Sequence, residues 1–144
     1  MGKIKRILIV EDAGPVYKMF EDVIDSNFDL VRVRAVDEAI GALEEYQFDC
    51  YVVDLQIISS GLTFAEMVEY RDLEGYVFLK KYLWKGNDNE IKQIKAKTII
   101  CSRFIEELEN KCKENNDSLD GLNIILKEKG FEKNVASLIY KILV

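Results

Sequence analysis

An apolar stretch in the middle of the chain, Tyr51-Val52-Val53, ends abruptly in the carboxylate of Asp54. A strand this apolar is typical of a parallel sheet that helices cover on both faces. In an open α/β sheet, ligands bind beyond the carboxyl ends of the strands, where the strand order reverses. The stretch therefore predicts a buried central strand and places Asp54 at the edge of the sheet where chemistry takes place.

Strand-like and helix-like patterns alternate along the rest of the chain. Apolar runs predict five strands, at residues 4–10, 31–35, 48–53, 98–101 and 122–126. Apolar residues at helical spacing predict helices at residues 16–24, 37–46, 62–71, 75–84, 105–112 and 131–142. Asp37 is expected to cap the second helix, and residues 85–89 are expected to form a polar turn. Arg32 and Arg34 alternate with apolar residues, which indicates an edge strand with both arginines facing solvent.

This order of elements predicts an α/β fold, a doubly wound five-stranded parallel sheet in a flavodoxin-like three-layer sandwich. The edge-like second strand favours the strand order 2-1-3-4-5, whose reversal lies between strands one and three. Glu11 and Asp12, which follow strand one, are then expected to meet Asp54. A length of 144 residues suits one domain over residues 1–144, with an extended segment at about residues 56–75.

Charge and composition argue against several classes of function. The chain has 20 basic and 26 acidic residues, a net charge of -6 that argues against direct nucleic-acid binding. It has no histidine, which excludes histidine-based triads and histidine metal ligands. No apolar run approaches the ~20 residues of a membrane span, and no export signal opens the chain, so a cytoplasmic location is expected. Three cysteines, two of them in apolar runs, fit reduced core thiols.

Three carboxylates at one edge of a sheet require a compensating positive charge. Two unit charges about 4 Å apart interact by about 4 kcal/mol at an effective dielectric near 20. Mg²⁺ prefers one or two carboxylates together with phosphate oxygens, and an aspartate can itself accept a phosphoryl group. Lys127 after strand five offers an ammonium to a phosphate, and Ser102 at the end of strand four offers a hydroxyl. The residues thus predict phosphoryl chemistry at Asp54 with Mg²⁺ as cofactor.

Three motifs carry a resemblance to a known family. They are Ile7-Leu8-Ile9-Val10-Glu11-Asp12, Ala35-Val36-Asp37-Glu38-Ala39-Ile40 and Phe48-Asp49-Cys50-Tyr51-Val52-Val53-Asp54-Leu55. Together they resemble the CheY-like receiver domain of two-component response regulators, specifically through about Leu55 and more loosely afterwards. The resemblance implies that Glu11 and Asp12 organise Mg²⁺ and that the Gln56 carbonyl completes its coordination. It also implies that Asp54 takes a phosphoryl group from a sensor histidine kinase or a phosphotransfer protein.

For the second half of the chain, the resemblance implies Ser102 as a switch hydroxyl and Lys127 as the phosphate-binding lysine. The sequence departs from the family pattern at three positions. Glu128 replaces a proline after the lysine, Arg103 replaces a small residue after the hydroxyl, and Ile124 replaces an aromatic residue. These departures leave the phosphoryl chemistry in place and fall at the family's usual output surface.

The sequence therefore predicts a stand-alone receiver that signals through a downstream protein target, with a homodimer as one possible form. It is not expected to be a conventional enzyme, although it would catalyse its own phosphorylation on Asp54 and its dephosphorylation. The alternative is a receiver-fold interaction module that works without phosphorylation. A nucleotide-binding protein or an aspartate-nucleophile phosphatase is a weaker option. No glycine-rich phosphate loop is present, and Gln56 stands where such phosphatases carry a second acid.

Overall fold

A computed structural model describes residues 3–144. Its five strands form one parallel sheet in the order β2-β1-β3-β4-β5, which confirms the predicted topology. No helix in this part of the chain is long and apolar enough to cross a lipid bilayer. The strands are β1 (Arg6–Val10), β2 (Asp29–Val33), β3 (Cys50–Val53), β4 (Thr98–Ser102) and β5 (Asn123–Leu126).

Helices cover both faces of the sheet. Across residues 3–144 they are α1 (Gly14–Val23), α2 (Val36–Glu45), α3 (Phe64–Glu69), α4 (Glu74–Phe78), α5 (Asp88–Ala96), α6 (Ile105–Asn115) and α7 (Phe131–Leu143). A π-helical turn, Leu79–Leu83, continues α4 without a break. The layers are therefore helix, sheet and helix, as the alternation of patterns predicts.

The core is divided into two parts by the sheet. Successive side chains of a strand point to opposite faces, so Leu8 and Val10 pack with residues of α2, α4 and α6. Ile7 and Ile9 pack with residues of α1 and α7 on the other face. Fully burying one such side chain is worth roughly 1.5–3 kcal/mol. Both faces of the central strands are apolar and covered, so the polar groups that follow them gather where the strands end.

The cysteines lie in this core. Cys50, Cys101 and Cys112 are free thiols and all three are buried, as the sequence predicts. Burial raises the pKa of the Cys50 and Cys101 thiols to about 12. Thiols with pKa values this high remain protonated and behave as small apolar side chains.

Helix α2 begins differently from the prediction. Its N-cap is Ala35, and no side chain caps it, so the predicted Asp37 cap is wrong. The N–H groups of Val36 and Asp37 instead donate to the carbonyls of Ile58, at 3.1 Å, and Ser60, at 2.8 Å. The extended segment after β3 therefore crosses to the end of β2 and supplies the missing acceptors. A tertiary contact thus takes the place of a local side-chain cap.

The extended segment is closed at its base. The Gly75 N–H donates to the Leu55 carbonyl at 2.8 Å, and the Gln56 amide donates to the Asp72 carboxylate at 2.9 Å. A Cβ built on Gly75 would lie 2.0 Å from the carbonyl oxygen of Asp54, so only glycine fits there. The segment between β3 and α4, which includes α3, is therefore closed on itself with its two ends next to Asp54.

The helices between β3 and β4 differ most from the sequence prediction. The predicted polar turn at residues 85–89 is wrong at its end, because α5 begins at Asp88. The signal was a capping box in which Asn87 and Glu90 each accept the other's backbone N–H. The predicted helix at 75–84 becomes a π-helix from Leu79, whose carbonyl accepts the Trp84 N–H at 2.8 Å.

Candidate functional site

Three strand ends bring the predicted acidic and basic residues to one place. β1 and β3 are paired in parallel with Val10 opposite Val53, so Glu11 and Asp54 leave the sheet side by side. The Asp54 N–H donates to the Val10 carbonyl at 3.0 Å, which fixes this register beyond the last strand pair. Lys127 follows β5 and reaches the same edge from the far side of β4.

The charged atoms of these residues are in direct contact. The Lys127 ammonium lies 2.6 Å from Glu11 Oε1 and 2.7 Å from Asp54 Oδ2. Only 10% of the lysine side chain is exposed, with 2% of Glu11 and 9% of Asp54. Carboxylate oxygens of Glu11, Asp12 and Asp54 all lie within 4.8 Å of one another, and Asp12 is the exposed member. The structure therefore brings together four of the six predicted site residues around one point.

The electrostatics of this cluster follow from burial and proximity. Burial, followed by the charge of Asp54, raises the pKa of Glu11 from its ordinary 4.5 to about 7, against the opposing effect of Lys127. For Lys127, burial alone would lower the pKa, but the charges of Asp54 and Glu11 outweigh it and leave the pKa raised. The lysine therefore stays charged, and ionisation of Glu11 is opposed.

The raised pKa of Glu11 gives a pH-dependent contribution to stability. The folded chain holds this proton more tightly than the unfolded chain, so Glu11 stabilises the fold fully below about pH 4.5, and the contribution is lost as the pH rises through about 7. At about 1.4 kcal/mol per pKa unit, the loss is at most about 3.5 kcal/mol. The substitution Glu11→Gln is expected to remove this slope from the unfolding free energy, measured with urea over that pH range without divalent ions.

The matched control for Glu11→Gln is the exposed Glu128. The substitution Glu128→Gln is expected to leave the slope unchanged, because an exposed carboxylate is solvated in both states. If the stability of Glu11→Gln declined with pH as steeply as that of the unsubstituted protein, Glu11 would not be the group responsible for the slope.

The other two predicted site residues take different positions. Gln56 lines the same cavity, of about 320 Å³, as Glu11, Asp54 and Lys127. Its exposed side chain is held by Asp72, and the metal-binding role of its carbonyl stays a prediction. Ser102 is fully buried, and among residues 3–144 it is not one of those that line this cavity. Its hydroxyl oxygen accepts the Phe104 N–H at 3.1 Å, so in this state the serine closes the turn after β4.

The residue after Ser102 does line the cavity. Arg103 and Phe104, both from the turn between β4 and α6, form the wall of the cavity together with residues of α1 and α7. Arg103 is exposed and adds a positive charge to the wall of the cavity. From the sequence, Arg103 is a departure from the family pattern that could gate the pocket or neutralise phosphate, and in the structure it lines the cavity.

Sequence reasoning missed the role of Arg32. The prediction that it faces solvent is only partly right, because the side chain is half-buried and its Nε and Nη2 donate to the carbonyls of Glu11 and Asp12, each at 3.2 Å. Its guanidinium also stacks over the Tyr17 ring, 5.0 Å from the centroid. The available signal was the sheet itself, since even an edge strand between two helix layers points its alternate side chains into one of them.

The donor chemistry of the site fits a hard divalent cation. Three carboxylates and one ammonium carry a formal charge of -2 when all are ionised, which one divalent ion would balance. Opposite oxygen ligands of Mg²⁺ lie about 4.2 Å apart, so oxygens that already lie within 4.8 Å require only small side-chain adjustments. The exposed Asp12 leaves an open side for water or phosphate oxygens.

Solved receiver domains of response regulators share the fold of this chain. A CheY-like receiver domain from Methylobacillus flagellatus matches with a TM-score of 0.62 at 17% identity, over 97% of this chain and 99% of that one. A phosphorylated cyanobacterial phytochrome response regulator, RcpA, matches at 0.58 and 16%, over 96% and 91%. A sensor protein from Polaromonas sp. JS666 matches at 0.61 and 17%, over 95% and 94%. No protein-family model and no curated protein sequence matches the chain.

The chain therefore has the receiver-domain fold of response regulators, over nearly its full length. The resemblance inferred from three short motifs is confirmed at the level of the fold. At identities near 17%, structural likeness establishes architecture alone. What the protein does has to be argued from the side chains at the strand ends.

Proposed function

We propose that this protein is a response regulator receiver that accepts a phosphoryl group on Asp54 from a sensor histidine kinase or a phosphotransfer protein. One observation carries the proposal, namely the position of Asp54 between Lys127 and the acidic pair Glu11 and Asp12. An isolated strand-end aspartate commonly caps a turn. An aspartate that shares an ammonium with another carboxylate and lines a cavity is instead suited to phosphoryl transfer.

The reaction requires little covalent participation by the protein beyond the nucleophile. An oxygen of Asp54 attacks the phosphorus of a phosphohistidine on the partner, an O–P bond forms, the P–N bond breaks, and the released imidazole takes up a proton. Such transfers depend mainly on positioning and on neutralising the phosphoryl oxygens. Lys127 already contacts Asp54 at 2.7 Å and would follow the new charge onto the phosphoryl group.

The residues that would hold Mg²⁺ are Glu11, Asp12 and Asp54, with the Gln56 carbonyl as a further ligand implied by the family resemblance. When bound, Mg²⁺ would supply positive charge that neutralises the phosphoryl oxygens during transfer. The protein's own contribution is the fixed β1–β3 register, which keeps Glu11 beside Asp54. The buried Lys127 provides the balancing charge on the other side.

Readout is expected to begin at the ends of β4 and β5. The Lys127 N–H donates to the Ser102 carbonyl at 2.9 Å, so the two residues are linked through the backbone. A phosphoryl group that attracts the Lys127 ammonium and accepts a hydrogen bond from the Ser102 hydroxyl would displace the Ser102 side chain and with it the Ser102–Phe104 turn contact. The altered turn would then be recognised by a downstream protein or by a second copy of the chain, in the cytoplasm and without direct contact to nucleic acid.

The decisive experiment is phosphorylation with a small donor. Incubation with acetyl phosphate and Mg²⁺ is expected to add one phosphoryl group, detected by intact-protein mass spectrometry. The substitution Asp54→Asn is expected to abolish the adduct, while Asp120→Asn, at an exposed aspartate in the turn before β5, retains it. An adduct that persists in Asp54→Asn, or no adduct in the unsubstituted protein, would refute the proposal.

The alternative is a receiver-fold interaction module that works without phosphorylation. The specific observation in its favour is that the Ser102 hydroxyl is buried in a main-chain contact while Arg103 lines the cavity. A module of this kind binds its partner equally well with and without acetyl phosphate, and Asp54→Asn leaves that binding unchanged. A receiver loses its phosphate-dependent change in the same comparison.

A further inference from the structure

The loop that carries the two acidic ligands is held by a residue outside it. Glu11 and Asp12 lie between β1 and α1, and their consecutive carbonyls both point at the guanidinium of Arg32. Arg32 stands on β2 opposite Ile9, so it reaches the loop from the neighbouring strand. The Tyr17 ring on α1 packs against the guanidinium and limits the positions it can take. The loop is thus tied to both β2 and α1 through one side chain.

Two further hydrogen bonds restrain this loop, in addition to the contact between Lys127 and Glu11. The Glu11 N–H donates to the Val33 carbonyl at 2.9 Å, and the Ala13 N–H donates to the Glu11 carboxylate at 3.1 Å. The Asp12 carboxylate is the exposed member of the acidic cluster. Its backbone carbonyl accepts from Arg32, so this contact holds the backbone from which the Asp12 carboxylate projects.

We propose that Arg32 is a positioning residue for divalent-cation binding: its two hydrogen bonds to the Glu11 and Asp12 carbonyls fix the ligand loop and give the site its preference for Mg²⁺ over Ca²⁺. This inference rests on the proposed function, since it concerns the cation site of the same receiver. Mg²⁺ demands near-octahedral geometry at short distances, whereas Ca²⁺ accepts flexible and irregular ligand sets. A loop held in one position therefore selects the smaller ion.

Two effects of Arg32 oppose each other, and the substitutions separate them. Its positive charge repels any cation, so the charge alone would weaken binding of Mg²⁺ and Ca²⁺ alike. Its fork of N–H donors orders the ligands, which favours Mg²⁺. Lysine keeps the charge but cannot donate to two carbonyls in the same fixed geometry, and it stacks less well on a ring. Arg32→Lys therefore removes positioning alone, and Arg32→Gln removes both effects.

The test is isothermal titration calorimetry of the whole protein with MgCl₂ and separately with CaCl₂. Arg32→Lys is expected to weaken Mg²⁺ binding about tenfold, the size usual for outer-shell partners of metal ligands. Arg32→Gln is expected to weaken it less than Arg32→Lys does, because the lost charge repulsion offsets part of the lost positioning. Ca²⁺ binding is expected to change much less, so the Mg²⁺-to-Ca²⁺ affinity ratio falls in both variants. Arg34→Gln is the matched control, because Arg34 is an exposed arginine two residues along the same segment, and it is expected to keep the ratio.

The outcomes distinguish this inference from the proposed function. Absence of Mg²⁺ binding by the unsubstituted protein overturns both. If the unsubstituted protein binds Mg²⁺ but both Arg32 variants keep the same Mg²⁺-to-Ca²⁺ affinity ratio, the inference alone is overturned. An equal increase in the affinities for Mg²⁺ and Ca²⁺ in Arg32→Gln also overturns it. A general loss of folding would reduce the affinities for both ions together, and circular dichroism detects it. In that case Tyr17→Leu, which loosens the guanidinium without removing it, is expected to lower the ratio, and an unchanged ratio overturns the inference.

Discussion

Gly75→Ala is expected to destabilise the protein by about 3 kcal/mol, the upper part of the range for overpacked sites. The new Cβ would lie 2.0 Å from the Asp54 carbonyl oxygen, 3.0 Å from the Asp54 carbonyl carbon and 3.1 Å from Leu55 Cα. All three are backbone atoms at the end of the central strand, so no flexible side chain is available to move away. Urea unfolding monitored by circular dichroism measures the change as a lower midpoint.

A second glycine provides the control for this prediction. Gly41 lies inside α2, and a Cβ there would meet nothing within 4 Å. Gly41→Ala is expected to stabilise the protein by about 0.5–1 kcal/mol, because alanine loses less backbone entropy in a helix. The same substitution thus has opposite signs at two helical positions. Stability of Gly75→Ala within about 0.5 kcal/mol of the unsubstituted protein would contradict the close approach to Asp54.

Lys127→Met is expected to destabilise the protein by about 3 kcal/mol in the absence of divalent ions at neutral or higher pH. Methionine has a similar length but leaves the carboxylates of Glu11 and Asp54 buried without their shared counter-charge. Removing one partner of a buried pair typically costs about 3–5 kcal/mol. The measurement is again the free energy of unfolding, taken from urea titrations with EDTA present.

Magnesium and pH identify the cause of that loss. Added Mg²⁺ is expected to restore part of the stability of Lys127→Met, because an ion that binds only the folded state stabilises it. Acidification toward about pH 4.5 is expected to reduce the effect, since Glu11 then becomes neutral. Lys129→Met, at an exposed lysine two residues away, is expected to change little. Equal losses in the two lysine variants would contradict the buried ion cluster.

The strand pattern and the meeting of charged groups at the strand ends were accessible from the sequence because both depend on local rules. A strand covered on both faces must be apolar, so Val52 and Val53 marked the sheet and Asp54 marked its end. Parallel strands then bring their carboxyl ends to one edge, which was enough to predict that Glu11 and Asp54 meet. The capping box at Asn87 and Glu90 was also present in the sequence, and it would have located the start of α5.

The remaining features depend on contacts between distant segments. Asp37 has the usual character of a cap, but the carbonyls of Ile58 and Ser60 occupy that role after the extended segment folds across α2. Arg32 has the usual character of an exposed edge residue, yet its guanidinium contacts Tyr17 and the loop after β1. Neither outcome is visible in local spacing, since each depends on where another part of the chain comes to rest.

The sequence alone determined the architecture and the set of groups at the strand ends, because hydrophobic periodicity and strand polarity act residue by residue. Only the tertiary structure decided how those groups are arranged. In the folded chain, Lys127 forms ion pairs with both Glu11 and Asp54. The Ser102 hydroxyl accepts a main-chain hydrogen bond, and Gly75 packs against Asp54. Such arrangements are set by distances of a few ångströms between segments far apart in the chain, and these distances exist only once the sheet has assembled.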